Sequence, residues 1–165
     1  DTSKDIVLLN LRPLWKKYSN DNFELSKIEE NFYRNLASSL TTVGANKRII
    51  FIPMNSDQYG FSDLESAYRL QKYLEPELDF VVLEYEPDIL DLIFMLRKST
   101  LCIAMRFHAC IFALSQSIPL VGIDYHVGGA GKVSELMDEY HKSDMCINIC
   151  DFKSDSLGYL LKLTD

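Results

Sequence analysis

Six apolar, β-branched runs at fairly even intervals constrain this chain more than any other feature: DIVLLNLR (5–12), RIIFIPMN (48–55), FVVLEY (80–85), LCIAM (101–105), PLVGIDY (119–125) and MCINI (145–149). Their apolar residues run continuously rather than alternating with polar ones, so each strand must be covered on both faces, as in a parallel sheet. Helical patterns fall between them. Residues 24–40 place Leu25, Ile28, Phe32, Leu36 and Leu40 on one stripe at steps of three and four, with Glu29, Glu30 and Arg34 opposite. Residues 62–74 open on Ser62 with Glu65 three residues later, the pattern of a capping box. Residues 87–98 open on Pro87, which suits a first helical turn, and 108–117, 131–140 and 154–163 complete the set. Gly44 and Asn46 end the first helix, and Pro119 opens the fifth strand. Strand and helix thus alternate throughout. The expected fold is α/β: a doubly wound, mainly parallel six-stranded Rossmann-like sheet with right-handed crossovers.

At 165 residues, with 47% hydrophobic and 25% charged, the chain reads as one domain that needs neither disulfide nor structural metal to fold. Its four cysteines, Cys102, Cys110, Cys146 and Cys150, form no CxxC pair, lie in apolar runs and are expected as buried reduced thiols of an intracellular protein. With His141 the last two match no zinc spacing, so no metal is expected. The net charge of −7 excludes a broad nucleic-acid surface, so any anionic ligand must meet a local cationic cluster. No apolar run reaches the length of a membrane span, and the first residues lack the form of a signal peptide. The chain begins at Asp1 rather than Met, and is expected to be a piece or processed product of a longer protein.

In a doubly wound sheet the ligand site forms from loops at the carboxyl ends of the strands. The first such turn, NLRPLW, contains no glycine, which excludes a dinucleotide fingerprint. YHVGGAGKVSELM carries Gly128, Gly129, Gly131 and Lys132 but fails the P-loop pattern, because His126 stands five before Gly131 and Val133 follows Lys132. It is either a turn rich in left-handed backbone or an anion seat of amides at a helix start. MRFHACIFALSQSIPLVGIDY (105–125) is sharper: Arg106 and His108 fall just after strand four, on the first turn of the next helix. An arginine there can grip a carboxylate or phosphate with two parallel bonds, and the positive helix end favours a neutral imidazole able to accept and return a proton. His126 could assist, whereas His141 ends a polar helix and is expected to face solvent. Trp15, Tyr18 and Tyr59 lie in the edge loops, where their rings could stack on a sugar or serve as core filler.

The segment resembles the signature of the polysaccharide pyruvyl transferase family, in which an Arg-x-His motif, with x aromatic or Leu, opens a helix of small apolar residues and a Pro-Val-type strand ends in Gly-Ile-x-Tyr. Here these are Arg106, Phe107 and His108, then Pro119, Leu120, Val121, Gly122, Ile123 and Tyr125. Asn10, Leu11 and Arg12 resemble the strand end that opens the family's C-terminal half. The resemblance implies one half of a GT-B fold, the C-terminal, donor-binding domain of a two-domain transferase. It implies transfer of a pyruvyl group from phosphoenolpyruvate, a donor substrate and not a cofactor, onto a sugar of a cell-surface polysaccharide as a ketal. His108 then matches the motif histidine and is the candidate acid/base, and Arg106 and Arg12 match the arginines suited to the donor's phosphate and carboxylate, Arg106 within the catalytic motif. Tyr125 ends the family's strand motif, and Gly129, Gly131 and Lys132, the anion seat read above, join Arg12 and Tyr125 as candidate substrate-binding residues. The acceptor would be a saccharide, lipid-linked in one version. The partner would be the missing N-terminal domain, and the location cytoplasmic or peripheral at the inner face of the membrane. The family usually carries an Asp-Pro-Lys-like stretch after the tyrosine, whereas here HVGGAG precedes Lys132. Either Lys132 replaces that lysine after an insertion, or its function has gone. Two other readings stay open: a GT-B glycosyltransferase using a nucleotide sugar, and a non-catalytic binding domain of the same fold.

Overall fold

The structure is a computed structural model that describes residues 4–14, 22–56 and 62–162. The six runs form six strands: β1 (Ile6–Asn10), β2 (Arg48–Phe51), β3 (Phe80–Val82), β4 (Ser99–Ala104), β5 (Leu120–Asp124) and β6 (Cys146–Asn148). Between and after them lie α1 (Asn22–Val43), α2 (Asp63–Gln71), α3 (Ile89–Lys98), α4 (Phe107–Ser115), α5 (Lys132–Glu139) and α6 (Ser156–Lys162). All strand pairs are parallel, in the order β3-β2-β1-β4-β5-β6. The sheet is therefore doubly wound as its alternation implied, and parallel throughout rather than mainly so. Helices α2, α1 and α6 pack together in one layer and α3, α4 and α5 in the other.

The continuous apolar runs have the physical consequence expected of them. Val7, Leu8, Leu9, Ile49, Ile103, Val121 and Ile123 are at most 1% exposed, because alternate side chains point into different helical layers and neither face meets water. The α1 stripe buries Phe32, Leu36 and Leu40, and the Phe32 ring stands edge-on to Phe152, centroids 5.2 Å apart, ahead of α6. Gly122 in β5 lets α5 approach: a Cβ there would lie 3.1 Å from both Met137 and Val133 side chains. Gly44 ends α1 with its amide on the Leu40 carbonyl at 2.7 Å, and Asn46 adopts φ 61, as the turn chemistry implied.

Several local expectations fail in instructive ways. Ser62 does cap α2, but its hydroxyl accepts from the Leu64 amide at 3.2 Å, and Glu65 pairs with Arg69 at 3.2 Å instead of closing a capping box. Helix α3 is capped by Asp88, whose carboxylate accepts from the Asp91 amide at 2.8 Å, which leaves Pro87 outside the helix. Glu29 is buried rather than solvent-facing, because α2 docks over it and supplies Arg69 as a partner at 2.5 Å. All four cysteines are free thiols; Cys102 and Cys110 are buried and Cys146 half-buried, but Cys150 is exposed on the turn after β6.

Candidate functional site

Because every strand is parallel, all carboxyl ends lie on one edge of the sheet. Chain order reverses between β1 and β4, so their connections leave in opposite directions and open a crevice at that edge. Asn10, the last residue of β1, pairs with Ala104 at the end of β4 and stitches the crevice floor. Its side-chain amide donates to the Ile52 carbonyl beyond β2 at 2.9 Å, and its side-chain oxygen accepts from the Arg106 amide at 3.1 Å.

Arg106 is the N-cap of α4, in extended conformation, so His108 is the second residue of that helix, as the motif implied. The Arg106 guanidinium is held by Asp63, the first residue of α2: Nε lies 3.1 and 3.2 Å from the two carboxylate oxygens and Nη2 lies 2.6 Å from Oδ1. Asp63 is wholly buried, and it also accepts from the Met54 amide at 3.0 Å and from Asn10 Nδ2 at 3.4 Å. Sequence reasoning missed this residue. An aspartate directly after a serine N-cap looks like ordinary helix-start chemistry, and its partner is 43 residues away.

Arg12, two residues past β1, crosses above β4 to Tyr125, the residue after β5. Its Nη1 donates to the tyrosine hydroxyl at 3.0 Å while the guanidinium carbon lies 4.5 Å from the ring centroid. Glu29 fixes the chain beside it by accepting from the Leu14 amide at 3.3 Å, and burial, only partly offset by Arg69, raises the Glu29 carboxyl above its usual range. The structure thus gathers Arg12, Tyr125, Arg106 and His108 at the ends of three adjacent strands. His108 is exposed, its ring edge-on to Phe107 with centroids 5.9 Å apart. Trp15, Tyr18 and Tyr59 lie outside the described residues.

Gly129, Gly131 and Lys132 belong to a separate arrangement. Asp124, the buried last residue of β5, accepts from the His126 amide at 3.0 Å, the Gly131 amide at 2.7 Å and the Ser134 hydroxyl at 2.5 Å. The Gly131 amide expected as an anion seat is therefore occupied by the protein's own carboxylate. A Cβ on Gly131 would sit 2.5 Å from Asp124 Oδ1, which is why this position is glycine. Gly128 has φ 86 and, like Gly129, is exposed; Lys132 starts α5 with its side chain in solvent. His141 is exposed at the end of α5 with φ 54, a helix-ending turn. A cleft of about 410 Å³ beside this loop is lined by Gly129, Asp124, Ser134, Glu135, Asp138 and Asn148 among others. Its three carboxylates suit an anionic donor poorly, and neither Arg106 nor His108 reaches it. Among the described residues no group of three histidine, cysteine or acidic side chains is placed to hold a metal, and no helix is long and apolar enough to cross a membrane.

No curated protein matches the chain. Among solved structures it is similar to a putative UDP-N-acetylglucosamine 2-epimerase from Listeria monocytogenes, with TM-score 0.60 and 13% identity over 99% of this chain and 38% of that one. It is also similar to the glycotransferase of kitacinnamycin, with TM-score 0.47 and 9% identity over 99% of this chain and 35% of that one. The first likeness shows a shared α/β fold, and the chain spans less than two fifths of either structure's length. The family model described as polysaccharide pyruvyl transferase matches residues 3–127, a span that contains Arg12, Asp63, Arg106, His108 and Tyr125 and stops short of Gly129, Gly131 and Lys132. With most of its length matched, and the motif arginine and histidine at the crevice where such a sheet binds ligands, the chain belongs to the polysaccharide pyruvyl transferase family.

Proposed function

We propose that this chain is the donor-binding half of a GT-B-like, two-domain pyruvyl transferase, and that phosphoenolpyruvate binds at the crevice between β1 and β4. The observation that carries the reading is that Arg12, Arg106 and an exposed histidine, His108, all follow the carboxyl ends of the neighbouring strands β1 and β4. Phosphoenolpyruvate carries a carboxylate and a phosphate around an enol carbon. Two guanidinium groups can orient both anions and stabilise charge on the departing phosphate. Ketal formation makes two bonds from sugar hydroxyl oxygens to the enol carbon and breaks its bond to phosphate. Of the two hydroxyl protons, one converts the methylene to a methyl group and the other leaves with phosphate. A titrating side chain at the reacting atoms must relay them, and His108 is assigned that role.

The acceptor in this reading is a saccharide of a cell-surface polysaccharide, lipid-linked in the membrane-proximal version, read mainly by an N-terminal domain and modified on the cytoplasmic side. A nucleotide sugar would need diphosphate donors at residues 128–132, where the Gly131 amide already serves Asp124. Calorimetric titration of the chain with phosphoenolpyruvate, in competition with uridine diphosphate, tests the assignment. Saturable phosphoenolpyruvate binding that Arg106→Gln weakens about 10- to 100-fold is expected, that being the worth of lost charge-assisted bonds. His108→Ala in the longer protein should abolish turnover while leaving donor affinity within a few-fold. Binding of uridine diphosphate alone, or binding indifferent to Arg106, would refute the reading.

A further inference from the structure

We propose that Asp63 is the positioning residue of this donor site: through Arg106 it sets the geometry in which the anion is gripped. The proposal rests on the donor reading above and adds a residue outside the Arg-x-His motif. Asp63 has no access to water, and a buried carboxylate is costly unless its oxygens are satisfied. Here they are satisfied by one converging set. Met54 N–H comes from the segment after β2, Asn10 Nδ2 from the end of β1, and the Arg106 Nε and Nη2 donors from the turn after β4. Asp63 is itself fixed as the first residue of α2, its amide on the Asn55 carbonyl at 2.8 Å. One carboxylate therefore ties the arginine, on the turn after β4, to the end of β1 and to the segment after β2.

What this does to Arg106 follows from guanidinium geometry. The group is planar and carries five N–H donors. The Nε edge is spent on Asp63, while Nη1 has no partner among the described residues and the side chain retains 17% exposure. One edge is held and the other can receive a ligand. An arginine free on its long stem would lose rotamer freedom when it gripped an anion, and an arginine already fixed does not. Asp63 offsets part of the charge, so the arrangement exchanges raw attraction for fixed direction. Direction is what a reaction needs when two anionic groups must be placed around one carbon. A lysine at position 106, with a single nitrogen, could not be held by one edge and bind by another.

The test is a double-mutant cycle on the chain with phosphoenolpyruvate as the probe, together with thermal melting of each variant. Asp63→Asn keeps the shape but sets an amide NH2 against the guanidinium donors. Donor affinity is expected to fall about 10-fold in the Arg106 background, and not to fall further when Asp63→Asn is added to Arg106→Gln. Should Asp63→Asn fail to fold, nitrogen NMR of the unmutated chain decides. The Arg106 Nε–H signal, assigned by its loss in Arg106→Lys, is expected to exchange slowly with water both without and with phosphoenolpyruvate. Unchanged affinity in a folded Asp63→Asn variant, equal weakening in both backgrounds, or a fast-exchanging Nε–H in either state would overturn the positioning role alone. An unmutated chain that does not bind phosphoenolpyruvate would overturn the donor reading and this proposal with it.

Discussion

Replacing Asp124 by alanine should destabilise the chain about as much as a large core truncation, although the residue lies beside a surface loop. The carboxylate is 2% exposed and accepts three hydrogen bonds, from the amides of His126 and Gly131 and the hydroxyl of Ser134. With donors that are only partly buried, a net contribution of about 1 kcal/mol for each bond gives a cost of about 3 kcal/mol for the three. For 165 residues an unfolding entropy of about 2.1 cal/mol/K per residue gives roughly 0.35 kcal/mol/K, so the midpoint should fall by about 9 °C. Ser134→Ala removes one of the three bonds and leaves Gly131 on the carboxylate, so it should cost about 1 kcal/mol, or about 3 °C. The two changes share a bond. Their double mutant should therefore fall no more than about 3 kcal/mol below the unmutated chain, a coupling of about 1 kcal/mol. Differential scanning calorimetry of all four proteins measures this. Strict additivity, or an Asp124→Ala variant no less stable than Ser134→Ala, would refute the claim that Asp124 organises the turn between β5 and α5.

Two further outcomes follow from burial. Because burial raises the Glu29 carboxyl above its ordinary 4.5, the folded chain holds that proton to higher pH than the unfolded one; stability from this group is present below 4.5 and lost as pH rises through the folded value. Melting temperature against pH should accordingly rise more steeply, or fall less, in Glu29→Gln than in the unmutated chain just above pH 4.5; parallel curves would count against it. Burial also pushes the Cys102 and Cys146 thiols up to about 12 and holds Cys110 high, whereas Cys150 is exposed, its thiol raised by partial burial and by neighbouring Asp151. Mild alkylation of the native chain should modify Cys150 alone, Cys150→Ser should abolish that reaction, and unfolding should release the rest; native modification of Cys102 or Cys110 would contradict the packing.

Read as a sequence, this chain discloses what depends on near neighbours. The six apolar runs became six strands and the intervening stripes became helices, because burial on two faces leaves a mark on every residue of a strand. Arg106 and His108 were legible for a similar reason: their place after β4 and at the start of α4 follows from local order, and their family resemblance lies in one contiguous stretch. Strand order was not legible, since hydrogen bonds between parallel strands connect residues far apart in the chain and leave no periodicity behind. Nor was the fate of the glycine loop, because the carboxylate that fills its anion seat, Asp124, looks like any strand-end aspartate until the chain turns back on it. Glu29 read as a solvated charge because nothing within its helix shows that α2 will cover it. Asp63 and Tyr125 were settled by the same kind of distance, 43 residues from Arg106 in one case and 113 from Arg12 in the other. The sequence by itself determined that Arg12, Arg106, His108 and Tyr125 follow the carboxyl ends of their strands, but not that Asp63 joins them. Only tertiary structure decided which of them touch, because the β1–β4 crevice exists only once strands distant in sequence have become neighbours.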